Sequence, residues 1–581
     1  MMIRRRANNE DVERALREMA LFLEMEEVPF KPAAYRRAAY AVAALDRPLW
    51  DLYEEGGARA LRALPGIGKG IADRVAGMLE KGRMADLDAL RKRTPVDILA
   101  LTAIEGVGPK RARAFWKALN VRTVEDLQHA ASEGRIRTLP HFGERSEQRI
   151  AEAIQFYQEA AGRRPLGEAL GVARRIEGAL RGVTGVVEVA VAGSIRRHRE
   201  TVGDLDVVVA AEAGEGASAA FRSLPEVQSV LAHGPAKTLV RLSNGVDADL
   251  RVVDPESFGA ALMYFTGSKA HNVALRRIAR SQGLKLNEYG LFRGARRIAG
   301  RTEEEIYVGL GLTWVPPEMR EDTGEVELAS KNALPAILRA DDIRGDLQVH
   351  TDWTDGSASI GRMARAAREL GREYIAITDH TRDLTMTGGL DEDGLRAQAK
   401  EIRKVDRELE GIRVLAGAEV NIRADGTLDV DDDVLAELDF VGAAIHSHFD
   451  QPRSVVTRRI VRAIANPHVD ILFHPMARSL GRRRAVAADF EAVIEACIRT
   501  GTVLEIDAQP ERLDLSDSLA RRAVEAGARI AIDSDAHTTD ELRHIESYGV
   551  GVARRGWVQP EHVINTLPVD DMLAALKQGP P

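Results

Sequence analysis

VAGSIRRHRETVGDLDVVV, residues 191–209, and the shorter VDADLRVV, residues 246–253, decide how the middle of this chain folds. Both set acidic residues among short β-branched runs, a pattern that predicts two adjacent strands. Asp204 and Asp206 are two residues apart, so on a strand their side chains project from the same face. Asp249 on the neighbouring strand completes a cluster of three carboxylates. Three such anions repel one another unless hard divalent cations lie among them, and oxygen ligands suit those ions. Two metals about 3.5–4 Å apart can clamp the attacking and leaving oxygens of an in-line phosphoryl displacement. Ahead of the acids, Gly193 and Ser194 offer backbone N–H groups and a hydroxyl to phosphate oxygens, and Arg197 offers its charge. Gly203 precedes the acids directly.

The chain of 581 residues exceeds what one hydrophobic core supports and predicts several domains. It has 45% apolar and 29% charged residues, as in a globular protein, and its longest apolar runs have strand length. The N-terminal MMIRRRANNEDV has charge without an apolar stretch behind it, so neither a secretory signal nor a membrane span is expected. A single cysteine, Cys497, excludes an intramolecular disulfide framework and fits a cytoplasmic setting. Charge is unevenly shared. Residues 1–300 hold 47 Lys/Arg against 38 Asp/Glu, whereas residues 341–581 hold 30 against 43. The first part can bind a polyanion by phosphate contact and counterion release. The second, acidic and carrying many histidines, fits a metal site better.

Residues 1–160 show helical periodicity with short Gly/Pro breaks, and one pattern recurs in them: LPGIGKGIADRV (64–75), IEGVGPKRARAF (104–115) and the degenerate LPHFGERSEQRI (139–150). Gly66 with Gly68, and Gly106 with Gly108, form Gly-x-Gly hairpins ahead of basic amphipathic helices. Such a turn brings backbone amides at a helix start up to a phosphate, gripping DNA without reading bases. Lys110 adds charge there. Residues 165–315 alternate strand-like and helical segments. The stretch WVPPEMREDTGEVELASKN (314–332) reads as a linker. Beyond it, strands alternate with helices in REYIAITDH, IRVLAGAEV, DFVGAAIHS, VDILFHP, GTVLEIDA and ARIAIDSDAH. This is the pattern of a parallel α/β barrel with Asp, Glu and His at the strand ends.

On these motifs the first 315 residues resemble family X DNA polymerases, the group of DNA polymerase β, and the remainder resembles the polymerase-and-histidinol-phosphatase (PHP) domain. The resemblance implies a helical DNA-binding region with helix-hairpin-helix elements, an α+β nucleotidyltransferase palm and thumb, and a C-terminal α/β PHP barrel. In sequence terms these are 1–85, a small helical DNA-end-binding domain; 86–160, a fingers-like domain; 161–260, the palm; 261–315, the thumb; 316–343, the linker; and 344–581, the PHP domain. YFTGSKAHNVALR (264–276) resembles the family's nucleotide-binding segment. By that resemblance Tyr264 and Phe265 lie at the incoming sugar, Gly203 and Gly267 in the nucleotide site, Asn272 at the base edge, and Arg276 near the template. LKLNEYGLF (284–292) resembles a further thumb segment.

The N-terminal part resembles the small domain that binds a 5′-phosphate in eukaryotic relatives, with Lys31, Tyr35 and Arg37 in that role. Where those relatives use a lysine for Schiff-base lyase chemistry this chain has Arg74, whose guanidinium cannot be that nucleophile. In the PHP pattern the resemblance implies His350, Asp355, His380, Glu419, His446, His474, Asp535 and His537 as metal ligands, with Gln348 where the first histidine of a His-x-His pair would stand. Imidazole and carboxylate without thiolate suit zinc, manganese or iron, and eight ligands imply two or three ions. Mg²⁺ or Mn²⁺ is expected at the three aspartates.

The expected activity is DNA-directed DNA polymerisation in repair gap filling, with a metal-dependent 3′–5′ exonuclease or phosphoesterase, abasic-site cleavage included. The expected partners are gapped or primer–template DNA and dNTPs, for a monomer acting at the nucleoid. The two active sites are expected to be independent, since each has its own chain segment. Two other readings are a nucleotidyltransferase of another class sharing the GS…DxD core, and a DNA-end-binding scaffold with decayed sites. The paired hairpins and YFTGS oppose the first, and the retained acids and histidines oppose the second.

Overall fold

The computed structural model describes residues 7–577 apart from 44, 46, 65, 160 and 161. Helices fill the N-terminal region from Asn9 to Glu159, and their buried faces form one apolar cluster from Ala7 to Ile154, so residues 1–85 and 86–160 are not separated by a break in the core.

The palm is a five-stranded sheet of β1 (Val186–Val191), β2 (Asp204–Ala211), β3 (Val227–His233), β4 (Lys237–Leu242) and β5 (Asp247–Val253), in the order β1-β2-β5-β4-β3. β2 and β5 are neighbours, as the two quoted stretches predict, and they run parallel. Leu205, Val207 and Val209 face the helices Leu166–Arg181 and Gly214–Arg222. Val208 and Ala210 face the helix Phe258–Thr266, against Phe258, Ala261 and Leu262. Alternation puts Asp204 and Asp206 on that second face, at the start of the strand. The thumb adds the helix Lys269–Ser281 and an antiparallel sheet of β6 (Lys285–Asn287), β7 (Gly290–Arg293) and β8 (Arg296–Ala299).

Eight parallel strands form the C-terminal domain: β9 (Gly345–Val349), β10 (Tyr374–Ile377), β11 (Arg413–Ala416), β12 (Glu419–Asn421), β13 (Gly442–Ala444), β14 (Ile471–Leu472), β15 (Val503–Asp507) and β16 (Ile530–Asp533). They pair as β9-β10-β11 and β12-β13-β14-β15-β16. Bridges between His380 and Glu419 and between Val349 and Ala536 join the two sheets at both seams, completing a barrel. β11 and β12 follow each other with two residues between them and act as one interrupted strand.

The segment 316–343, expected as a linker, is folded into the body of the protein. Pro317–Met319 is a 3₁₀ turn and Glu325–Ser330 a helix. Arg320 and Glu325 are completely buried, and Met319, Ala329, Leu338 and Ile343 lie in apolar clusters. The two prolines start a turn rather than loosen the chain, and Glu318, Glu321 and Glu325 pair inward with Arg554, Arg197 and His271. Palm and barrel share a contiguous apolar cluster, so they do not behave as beads on a tether.

Candidate active sites

Parallel pairing of β2 with β5 sets Asp206 directly opposite Asp249 and Asp204 opposite Asp247. Asp247 is taken up by an ion pair with Arg241, which leaves Asp204, Asp206 and Asp249 as the cluster. Asp249 Oδ2 lies 3.0 Å from Arg251 and 3.4 Å from Lys237, while its buried Oδ1 has no hydrogen-bond partner. Burial and the neighbouring charges of Asp204 and Asp249 push the Asp206 carboxyl up to about 7. A cation between them would relieve that repulsion. The donor set and the orphaned oxygen therefore fit a hard divalent ion.

Gly193 has a φ of 63° and opens a short helical turn, Gly193–Arg196, against Asp206. Ser194 Oγ is buried without a partner, as a hydroxyl awaiting a phosphate oxygen would be. A cavity of about 550 Å³ joins these groups, lined by Gly193, Ser194, Arg197, Gly203, Asp204, Asp206, Tyr264, Phe265, Gly267, Asn272 and Arg276 among others. Every nucleotide-site residue named from sequence is on that wall, together with Arg163, Arg199, Lys269 and Glu321, which were not foreseen. Asn272 Nδ2 donates to the Tyr264 carbonyl at 2.7 Å, and its Oδ1 is buried and unpartnered. The aromatic pair meets edge to face, with the Arg251 guanidinium 4.9 Å from the Phe265 ring centre. Arg196, beside Arg197, instead turns inward to Glu303 and Thr266.

At the barrel, the metal-type ligands fall just beyond or at the strand ends. Glu419 lies at the centre. Its Oε1 is 2.7 Å from His474 Nε2, 3.1 Å from His446 Nε2 and 3.3 Å from Gln348 Nε2; its Oε2 is 2.7 Å from His380 Nδ1 and 3.6 Å from His350 Nε2. Asp355 is 3.6 Å from His380 and 3.5 Å from His537, and Asp535 is 3.1 Å from His350. His350, Asp355, His380 and His537 form one group able to hold an ion, and His380, Glu419 and His446 another. His474 and Asp535 have positive φ, 29° and 50°, backbone strain of the sort that collects at functional sites. Nδ1 and Nε2 of His350, Nε2 of His446 and Oε2 of Glu419 are buried without hydrogen-bond partners. So many orphaned nitrogens and oxygens converging on one place fit a polymetal centre.

Burial works against the charged form of His380, yet Glu419 and Asp355 overcome it and raise the imidazole to about 10; burial and then Arg512 lower His474 to about 4. Arg512, whose guanidinium is 3.5 Å from Asp507 and 3.7 Å from Asp535, was not read from the sequence.

In the helical region the three repeats adopt one geometry. Ile67 N donates to Leu64 O, Val107 N to Ile104 O and Phe142 N to Leu139 O, at 3.2, 3.0 and 3.1 Å. Gly66 and Gly106 have φ of 73° and 78°; in the third repeat His141 takes the equivalent conformation at 69°. Gly68 and Gly108 cap the helices Lys69–Lys81 and Pro109–Leu119. Lys31 is exposed and Tyr35 buried on the helix Lys31–Ala43, whose Arg37 packs against Gly66. Arg74 is bound to Asp86 and the Gly70 carbonyl, a structural use of the guanidinium.

The comparisons with known proteins match four parts of the chain. The helix-hairpin-helix domain family matches residues 7–84, a SAM-like helix-hairpin-helix tandem 98–155, the DNA polymerase beta thumb 261–321 and the PHP domain 346–503. The chain is 38% identical over 577 residues to the DNA polymerase/3′-5′ exonuclease PolX of Bacillus subtilis (strain 168), covering 98% of this chain and 100% of that protein. It belongs to the PHP-containing family X DNA polymerases. Rat (Rattus norvegicus) DNA polymerase lambda is 24% identical over 50% of this chain and 52% of its own length. A probable phosphatase of Thermoanaerobacter sp. (strain X514) is 29% identical over 38% of this chain and 89% of its own length. As in that family, the polymerase and PHP parts lie in one polypeptide. Among the described residues no helix is long and apolar enough to cross a membrane.

Proposed function

We infer that this protein is a template-directed DNA polymerase of repair gap filling that carries a metal-dependent 3′–5′ exonuclease in its barrel. The observation that carries the polymerase reading is the in-register pair Asp206–Asp249, with Gly193 and Ser194 against it at the edge of a nucleotide-sized cavity. Mg²⁺ or Mn²⁺ held by Asp204, Asp206 and Asp249 would supply Lewis-acid neutralisation of the dNTP triphosphate. Ser194 and the amides of the Gly193 turn bind phosphate oxygens, and Arg197 balances their charge. Tyr264 and Phe265 give the sugar an apolar wall, Asn272 offers Oδ1 to the nucleotide, and Arg276 meets the template strand. Asp249 Oδ1, unpartnered, accepts the proton of the primer 3′-hydroxyl.

The helix-hairpin-helix turns hold duplex flanks by their phosphates, with Lys110 and Lys31 adding charge. In the barrel the eight candidate ligands would hold two or three zinc, manganese or iron ions, which would supply the Lewis acid for phosphodiester hydrolysis at a 3′ end. A one-nucleotide gapped duplex with dNTPs and Mn²⁺ tests both parts. Asp206→Ala should stop extension and leave 3′ degradation, and His350→Ala should do the reverse. Loss of both activities in either variant would refute the separation of roles.

A further inference from the structure

Barrel residues close on the turn that follows Gly193–Ser194. Arg555, on the barrel helix Val550–Arg555, donates to the main-chain carbonyl of Arg197 at 2.8 Å and to Glu321 Oε1 at 3.0 Å. Its Nε is fixed by Asp517 Oδ2 at 2.8 Å, and its side chain is 5% exposed. Next to it Gly551 lies so near His198 that a Cβ there would sit 2.1 Å from the ring nitrogen. Arg478 pairs with Glu200 at 2.8 Å. Residues 197, 198 and 200 of the palm are thus each held by the barrel.

The electrostatics of this contact bear on the nucleotide cavity. Glu321 is shared: the same Oε1 lies 3.1 Å from Arg197 Nε, 3.0 Å from Arg555 and 3.8 Å from Arg199. Three guanidinium groups share this carboxylate, and Asp517 balances part of the Arg555 charge, so the wall stays net positive and Arg197 is only partly neutralised. Without Arg555 the carboxylate is free to pair fully with Arg197 and Arg199. The Arg197 carbonyl loses its donor, and Glu321 then competes with the Thr266 carbonyl, which also holds the Arg197 guanidinium, for that group on the cavity wall.

We propose that Arg555 of the PHP barrel is a positioning residue for the polymerase nucleotide site, holding Glu321 and the Arg197 backbone so that the Arg197 guanidinium stays available to the dNTP triphosphate. The inference rests on the reading of Arg197 as a triphosphate ligand. It also means that the polymerase half is completed by the half that carries the nuclease.

Steady-state gap filling by the full-length chain tests this. Arg555→Ala should raise the KM for dNTP about tenfold with kcat within about threefold, the split that marks lost nucleotide binding. The 3′–5′ exonuclease rate of the same preparation should stay unchanged. Arg555→Lys, which keeps charge but cannot reach three partners, should recover part of the loss. Arg197→Ala separates the two ideas. If it leaves KM unaltered, the triphosphate role of Arg197 fails; if it raises KM while Arg555→Ala does not, the positioning role fails. Should Arg555→Ala lose the exonuclease as well, Asp517→Asn, which only frees the anchor of Arg555, is expected to raise KM in the same direction. Loss of both activities there too would reduce the contact to a fold element and overturn the proposal.

Discussion

Gly193 and Asp206 stand so close that a methyl group at position 193 would lie 2.2 Å from Asp206 Oδ2. The glycine also has a φ of 63°, where a side chain adds strain. Gly193→Ala should therefore displace Asp206 from its partner Asp249 without touching either carboxylate chemically. A misplacement near 1 Å is enough to reduce a reaction of this kind about 100-fold. Gap-filling kinetics on the variant should show that loss, while exonuclease activity and DNA affinity stay near wild type. Near-normal extension would mean that the turn does not set the acid's position.

Glu303 is the hub of a buried network joining palm and thumb. It accepts two hydrogen bonds from Arg320, at 2.7 and 2.9 Å, two from Arg196 and one from Trp314. Burial alone would raise its carboxyl, but Arg320 and Arg196 outweigh that and hold it well below the usual carboxylate range. A depressed folded pKa contributes stability that is present above the unfolded value, about 4.3, and fades as pH falls below it. Removing the charge leaves Arg320 buried and under-compensated, so Glu303→Gln should destabilise the protein by about 3–5 kcal/mol at pH 7. Denaturant unfolding should show the gap between variant and wild type narrowing steadily below about pH 4. A gap that is constant across pH would remove the ionic explanation.

Gln348 occupies the place of an expected histidine ligand. It is completely buried, its Nε2 donates to Glu419, and its Oε1 has no partner. An imidazole at this position would bring a nitrogen donor to the same carboxylate. Gln348→His should raise resistance to a chelator about tenfold in metal affinity, with more metal retained per chain and faster 3′ degradation. Equal metal content and equal rate would show that the amide oxygen already serves as a ligand.

Much of both sites could be read from residue order because each motif is local or periodic. The Asp204–Asp206 pair fixes a strand face within three residues, and candidate ligands such as His350, His446 and His474 follow apolar strands that any barrel would align. What could not be read depends on contacts across distant parts of the chain. Arg196 and Arg197 are adjacent and alike in sequence, yet one is drawn to Glu303 and the other lines the cavity. The prolines of 316 and 317 announce a break, and only the burial of Arg320 against Glu303 shows the segment to be internal. Arg512 and Arg555 sit in ordinary amphipathic surroundings, with no period or spacing to mark their partners. The contact between the two halves could not be read for the same reason: Arg555 meets Arg197 over a separation of 358 residues.

The second hairpin separates two basic residues that look equivalent in IEGVGPKRARAF. Lys110 has a side chain 74% exposed and lies 3.8 Å from Glu27, a weak surface pairing that DNA can displace. Arg111 instead donates to the Gly106 carbonyl at 2.7 Å and reaches over the Phe142 ring, 5.5 Å from its centre, so it ties the second hairpin to the third. Lys110→Ala should weaken DNA binding alike for all sequences and reduce the slope of log K against log salt by about one unit, as expected for one lost phosphate contact. Arg111→Ala should loosen the hairpin as well, lowering the thermal midpoint of the protein and weakening binding even at high salt, where the electrostatic contribution is screened. Fluorescence anisotropy over a salt series, read beside thermal unfolding, distinguishes the two. If Lys110→Ala left the slope unchanged while Arg111→Ala lowered it with no loss of stability, the charge that grips the backbone would belong to Arg111 instead.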